Sequence, residues 1–194
     1  MNDSGLRERR RDMTRREISR AAMDLVLEQG LGEVTVDDIA DRAGISPRTF
    51  FNYFPSKRAA LIPGPEPLAP ESVEQFAADR ETPVIDGLRI LLVDHARRSP
   101  DIRQDVSAVH DLLTRYPELL PTLHESIAGF EESLADAVAR RLDLAAGDDV
   151  PRIAAATCAC VLKIAVTSQA PDSTGTLEHE ISRAFDALRE LLAH

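Results

Sequence analysis

The sequence predicts an all-α protein, with a small head of short helices in front of a larger helical body. Three observations predict it. Apolar residues recur at helical spacing along most of the chain, and strand-like alternation is scarce. Aromatic residues make up only 4 %, low for an all-β protein. Thr, Ser, Gly and Pro fall where helices would start and stop. At 194 residues and 43 % hydrophobic, the chain can bury one large core or two smaller ones.

The first helix is expected to begin at Thr14. Thr14 and Glu17 have the spacing of a capping box, and Met13 and Ile18 that of a hydrophobic staple. Ile18, Ala21, Ala22, Leu25 and Val26 mark one apolar face, and Gly30 suits the left-handed residue after the helix. The second helix is expected from Thr35, where Thr35 and Asp38 repeat the capping pattern and Val34 can staple onto Ile39. Gly44 ends it. The third follows at once, with Ser46 as N-cap and Pro47 at the first helical position. Phe50 and Phe54 lie on one face, as core residues, and Pro55 stops the helix. Ser56 caps a fourth helix starting at Lys57.

Four prolines between Pro63 and Pro70 then exclude a helix and favour an extended linker. The expected boundary lies there, with a head over 1–62 and a body over 63–194. Body helices are expected at about 71–80, 83–98, 101–115, 118–142, 149–170 and 176–193, with prolines at the junctions. Pro121 would delay or kink the fourth of these. From Ile153 to Val166 the only charge is Lys163, so that helix must be buried on most sides. Leu177, Ile181, Ala184, Phe185, Leu188 and Leu192 form a clean stripe on the last helix. Together these two helices suit a four-helix bundle with a second copy of the chain, against burial within one monomer.

Charge is uneven. Residues 1–60 carry a net of +1 and the remainder −11, within a total of −10. Residues 1–20 alone hold seven Arg against four acids. A basic end on an acidic body fits a local, oriented contact with nucleic acid, or else a solvated tail. With no run of 18 apolar residues, no membrane span is expected. The Arg-rich start has no apolar signal segment, so a cytoplasmic protein is expected. Cys158 and Cys160 would point to different sides of a helix, which disfavours a disulfide between them.

The spacing from Thr35 to Phe54 reads as a helix-turn-helix, whose second helix enters the DNA major groove. Ser46, Pro47, Arg48 and Thr49 open that helix, followed by Phe51, Asn52 and Tyr53. Arg48 can give two hydrogen bonds to guanine, and Asn52 can pair with adenine. Thr49 can meet a base or phosphate, and Phe51 a thymine methyl. Tyr53 and Lys57 suit phosphate, and Thr35 can hold one at the start of the second helix. Capping alone also explains Thr35 and Ser46. The stretch Arg7-Glu8-Arg9-Arg10-Arg11 could act as a flexible arm reaching phosphates or a minor groove.

Residues 14–61 resemble the DNA-binding domain of the TetR family of bacterial transcriptional regulators. The resemblance rests on Thr35-Val36-Asp37-Asp38-Ile39-Ala40 and on the run from Ala43-Gly44-Ile45-Ser46-Pro47-Arg48-Thr49-Phe50 through Phe51-Asn52-Tyr53-Phe54-Pro55-Ser56-Lys57. It implies a homodimer of subunits, each with a three-helix DNA-binding head and a ligand-binding body. It also implies dimerisation through the last two helices, and a repressor released from a palindromic operator by a small molecule. The family's contact positions map onto Thr35, Ser46, Pro47, Arg48, Thr49, Phe51, Asn52, Tyr53 and Lys57. One departure stands out: prolines cut the fourth helix to about two turns, where the family's usually runs on into the body.

For the body, Phe76, His95, His110, Phe130 and Val161 are the candidate pocket-lining residues. No zinc-ligand spacing accompanies the two cysteines, and no metal or cofactor is expected. Nucleophile-elbow, phosphate-loop and zinc-protease motifs are missing, so an enzyme is not expected. The alternatives are an activator, or a helix-turn-helix used for protein contacts without an effector.

Overall fold

Helix follows helix throughout the computed structural model, which describes residues 3–98, 102–167 and 176–193, with side chains from residue 10 onward and not at 102 and 103. The elements are α1 (Asp3–Gln29), α2 (Val36–Arg42), α3 (Pro47–Tyr53), α4 (Lys57–Leu61), α5 (Pro70–Ala78), α6 (Val84–Arg98) and α7 (Ile102–Arg115). A 3-10 turn (Pro117–Leu119) leads into α8 (Leu120–Leu142), then α9 (Asp149–Thr167) and α10 (Leu177–Ala193). Pro121 sits in the first turn of α8, where a missing N–H costs nothing.

The first helix starts eleven residues earlier than its capping signal. Residues 3–13 hold four Arg with one each of Glu, Leu and Met, all good helix formers, and contain no Pro, so extending a formed helix through them is easy. Thr14 therefore lies inside α1, and the expected flexible arm is helical from Asp3. Every other head cap is as expected: Ser46 and Ser56 each accept the amide three residues on, and Thr35 with Asp38 forms a full capping box.

The chain divides into two compact units: residues up to 66 with 105–126, and 67–104 with 127–194. One division between the units falls between Glu66 and Pro67, within the proline-rich segment. However, all but the first three residues of α7 and the first turns of α8 group with the head, although the sequence assigns them to the body. The reason is apolar: Leu112 and Leu119 are fully buried in the same core as Ile18, Val26, Ile39, Phe50 and Phe54.

In the first unit the proline-rich segment is held in place. Arg15 Nη2 donates to Pro63 O at 3.3 Å, and Arg16 makes a bidentate pair with Glu66, one contact being 2.7 Å. Ser126 Oγ donates to Ile62 O at 3.1 Å. Gly64 has φ +66°, and a Cβ there would lie 2.4 Å from Ser126 Cβ. Only glycine fits, on both counts.

The second unit is built on α6, α9 and α10, with α5 and α8 alongside. The α10 stripe turns into its own unit: Leu177, Ile181 and Phe185 are buried against α6 and α9, although Leu192 is 71 % exposed. Much of that stripe is thus satisfied within one chain. In α9, Ala155, Cys158, Val161, Leu162 and Ala165 face inward. This 19-residue helix is also long and apolar enough by composition to cross a bilayer, beyond the sequence expectation, yet its inner face belongs to a helical core. Arg141 is 3 % exposed and donates to Phe76 O at 2.8 Å and to Thr82 O, with its guanidinium 4.6 Å from the Phe76 ring centre. A Cβ at Gly87 would come within 2.7 Å of this guanidinium and 3.0 Å of the ring, so α6 needs glycine there.

Asp79 closes the α5–α6 loop. Hydrogen bonds from Thr82, then from Glu81, and the charge of Arg141 hold its carboxyl down to about 2. A carboxyl lowered by folding stabilises the fold above the ordinary Asp value of about 4. That contribution disappears as pH falls toward about 2. Asp79→Asn should therefore flatten the acid limb of the denaturation profile; acid limbs of equal steepness in the two proteins would refute this.

Candidate nucleic-acid interface

A tight turn sets the angle between α2 and α3. The Ile45 amide bonds Ala40 O at 2.9 Å and the Gly44 amide bonds Asp41 O at 3.1 Å, the paired closure of a Schellman motif. Gly44 takes φ +67°, as that motif requires. The chain then extends through Ser46, whose Oγ accepts the Thr49 amide at 3.1 Å and lies 2.8 Å from Thr49 Oγ1.

Within α3, Phe50 is fully buried and Phe54, just after it, is 1 % exposed, with ring centres 6.0 Å apart. The helical period then turns the neighbouring side chains outward. Ser46, Pro47, Arg48 and Asn52 are exposed, Phe51 is 57 % exposed, and Thr49 and Tyr53 are half-buried. Arg48, Phe51 and Asn52 thus share the solvent side of α3. Beyond the head core, α1 carries Arg10 and Arg11 exposed; the side chains of Arg7, Glu8 and Arg9 lie outside the described residues.

Two candidates are engaged inside the molecule. Thr35 gives its hydroxyl hydrogen to Asp38 Oδ2 at 2.6 Å and accepts the Asp38 amide. The Thr35 hydroxyl, and then the Thr35 amide, hold the Asp38 carboxyl below its ordinary value. Thr35 here is a helix cap whose one hydrogen is already used, which argues against phosphate donation. Lys57 Nζ donates to Leu31 O and Val34 O, both at 2.6 Å. Of its three hydrogens, one remains for an outside acceptor.

The residues that brace this surface were barely legible in the sequence. Arg15 Nη1 donates to Tyr53 O, the last carbonyl of α3, at 3.0 Å, and the guanidinium lies 4.3 Å from the Phe54 ring centre. Burial lowers its pKa, partly offset by Glu66 and Asp12. Ser19 Oγ donates to Ala60 O at 2.6 Å. Arg15 and Ser19 are one helical turn apart, next to the apolar stripe, and that edge position was the one available clue.

Of the pocket candidates, Phe76, His95, Phe130 and Val161 meet in the second unit's core, each at most 5 % exposed, with the His95 and Phe130 rings 5.4 Å apart. His110 does not join them: it is exposed on α7, in the first unit. An open groove of about 290 Å³ beside α5 and α8 is lined by Leu68, Val73, Glu74, Asp136 and Arg140, and by none of these candidates. Cys158 is buried, which pushes its thiol up to about 12, while Cys160 is exposed.

The family described as "Bacterial regulatory proteins, tetR family" matches residues 18–61, and the family described as "MftR C-terminal domain" matches 82–193. A Mycobacterium tuberculosis protein, which carries the name mycofactocin biosynthesis transcriptional regulator MftR, is 32 % identical over 185 residues, covering 93 % of this chain and 91 % of its own. The HTH-type transcriptional regulator TcmR of Streptomyces glaucescens is 44 % identical over 63 residues, 32 % of this chain and 28 % of its own. Two solved structures share the fold at TM-score 0.52. One is FadR of Thermus thermophilus with lauroyl-CoA, at 23 % identity and covering 91 % of this chain and 93 % of its own. The other is NalD of Pseudomonas aeruginosa, at 18 % identity and covering 92 % and 96 %.

Proposed function

This chain belongs to the TetR family of bacterial transcriptional regulators, and we propose that it is a cytoplasmic, homodimeric repressor that leaves a palindromic operator when a small molecule binds its body. As a member of that family it is a DNA-binding regulator and not an enzyme. The observation that carries the proposal is the outward set Arg48, Phe51 and Asn52 on a helix anchored by Phe50 and Phe54.

In this reading the N-terminal half of α3 lies in the major groove. Arg48 reads a guanine, Asn52 an adenine, and Phe51 packs on a thymine methyl. Ser46, Pro47 and Thr49 line the approach, and Tyr53 touches a phosphate. Lys57 adds its charge and its remaining hydrogen. Arg10 and Arg11 on the extended α1 add a sequence-independent contact. Phe76, His95, Phe130 and Val161 mark where a mostly apolar effector would bind, and His110 is no part of that site. Similarity along 93 % of the chain to the mycofactocin regulator supports DNA upstream of such a gene set as the first operator to try.

The second copy would cover the outer face of α9 and the end of α10. Ile153 and Ile164 are 64 % and 54 % exposed, with Ala156 and Cys160 between them on the same side, and Leu191 and Leu192 are more than 70 % exposed. Water-facing apolar residues at helical spacing are costly without a partner. A two-fold dimer reads half-sites one turn apart or a multiple of it, about 34–36 Å for one turn.

Arg48→Ala should cost about 1–3 kcal/mol on the operator and relax preference at one base pair; an unaltered binding-site selection profile would count against base reading. Lys57→Ala should lower the slope of log K against log salt by about one, and an unchanged slope would leave Lys57 an internal brace only. Sedimentation should give a dimer for the wild type and a monomer for Ile153→Glu with Ile164→Glu. A wild-type monomer at micromolar concentration would remove the palindromic-operator reading.

A further inference from the structure

We propose that Tyr116 and Arg115, at the C-terminal end of α7, are positioning residues for DNA binding, because they hold the turn that sets where α2 begins. This rests on the DNA-reading proposal above. Between α1 and α2 the chain reverses over a few residues, with Gly30 at φ +105°. The backbone groups of such a turn lack helix partners and need others. Here the partners come from distant parts of the sequence. The Leu31 amide donates to Tyr116 Oη at 3.2 Å, and Arg115 Nη1 donates to Leu27 O in the last turn of α1 at 2.9 Å. A cation is favoured at that helix end. Lys57 takes the remaining side, through Leu31 O and Val34 O.

The grip is itself fixed. The Arg115 guanidinium lies 5.5 Å from the Tyr116 ring centre, and the Tyr116 amide bonds Leu112 O at 2.7 Å. Leu112 and Leu119, on either side of Tyr116, are fully buried in the head core. From Leu31 the chain runs four residues to Thr35, the N-cap of α2, and α2 packs against α3. A hydroxyl at the end of α7 therefore fixes the start of α2, and through α2 the angle at which α3 is presented. With α4 only five residues long, this grip is a further route by which α7 bears on the proposed reading surface.

The test is Tyr116→Phe, which keeps the ring and removes only the hydroxyl, with Arg115→Gln as a second variant. Affinity for a duplex selected by the wild type, its salt slope, its base preference, the melting temperature and amide exchange at Leu31 are all measured. Tyr116→Phe should speed Leu31 exchange and weaken duplex binding about three- to tenfold, with salt slope and base preference unchanged. Faster Leu31 exchange with unchanged affinity in both variants would overturn the proposal, because the grip would then be structural only. A reduced salt slope would also overturn it, making these residues phosphate contacts. Wild-type protein that selects no duplex would remove the DNA-reading proposal and this one with it, whereas variants equal to a binding wild type would remove this one alone.

Discussion

Two phenylalanines four residues apart hold α3 to the head, and the proposed reading surface depends on them. A seven-residue helix has almost no stability of its own, because forming its first turn costs nearly as much as the remaining bonds return. What stabilises α3 is burial of Phe50 and Phe54 among Ile18, Val26 and Ile39. Full burial contributes about 1.5–3 kcal/mol for each ring. Anchoring at two positions one turn apart also removes rotational freedom about the helix axis. The side chains that face water follow from that choice, and Arg48, Phe51 and Asn52 are among them.

Short helices raise a second difficulty, since each end leaves backbone groups without partners. In the head, α2, α3 and α4 together contain 7, 7 and 5 residues, so ends outnumber interiors. N-termini are closed locally by Thr35, Ser46 and Ser56, each within three residues. Carbonyls at the end of α2 are also closed locally, by Gly44 and Ile45, but others are closed at long range: Tyr53 O and Pro63 O by Arg15, Ala60 O by Ser19, Leu27 O by Arg115. One guanidinium thus bridges the end of α3 and the start of the proline-rich segment. The start of that segment is held in place although α4 stops before it, through bonds from Arg15, Arg16 and Ser126.

In the second unit, α9 has two apolar faces with different fates. Its inner face closes the core with α6 and α10. Its outer face remains open to solvent in the single chain. Cys158 and Cys160 show the division at two residues' distance, one buried with a raised thiol pKa and the other exposed. An apolar helix that its own chain covers on one side only is the physical ground for expecting a second copy.

By itself the sequence determined the helical class, the position of most helices and nearly every head cap, because those depend on neighbours within four residues. Thr35 with Asp38, Ser46 with Pro47, and Gly44 are local devices and were legible as such. The outward face of α3 was legible too, since Phe50 and Phe54 fix it by period. What the sequence misjudged was the start of α1, where continued helix formation outweighed a capping pattern, and the depth of the α10 stripe, most of which its own chain buries. Tertiary structure alone decided that Lys57 turns its hydrogens to internal acceptors, that His110 lies apart from His95, and that residues 105–126 join the head. Each of these depends on groups tens of residues apart meeting in space. Periodicity along a chain says which side is apolar, but not what will lie against it.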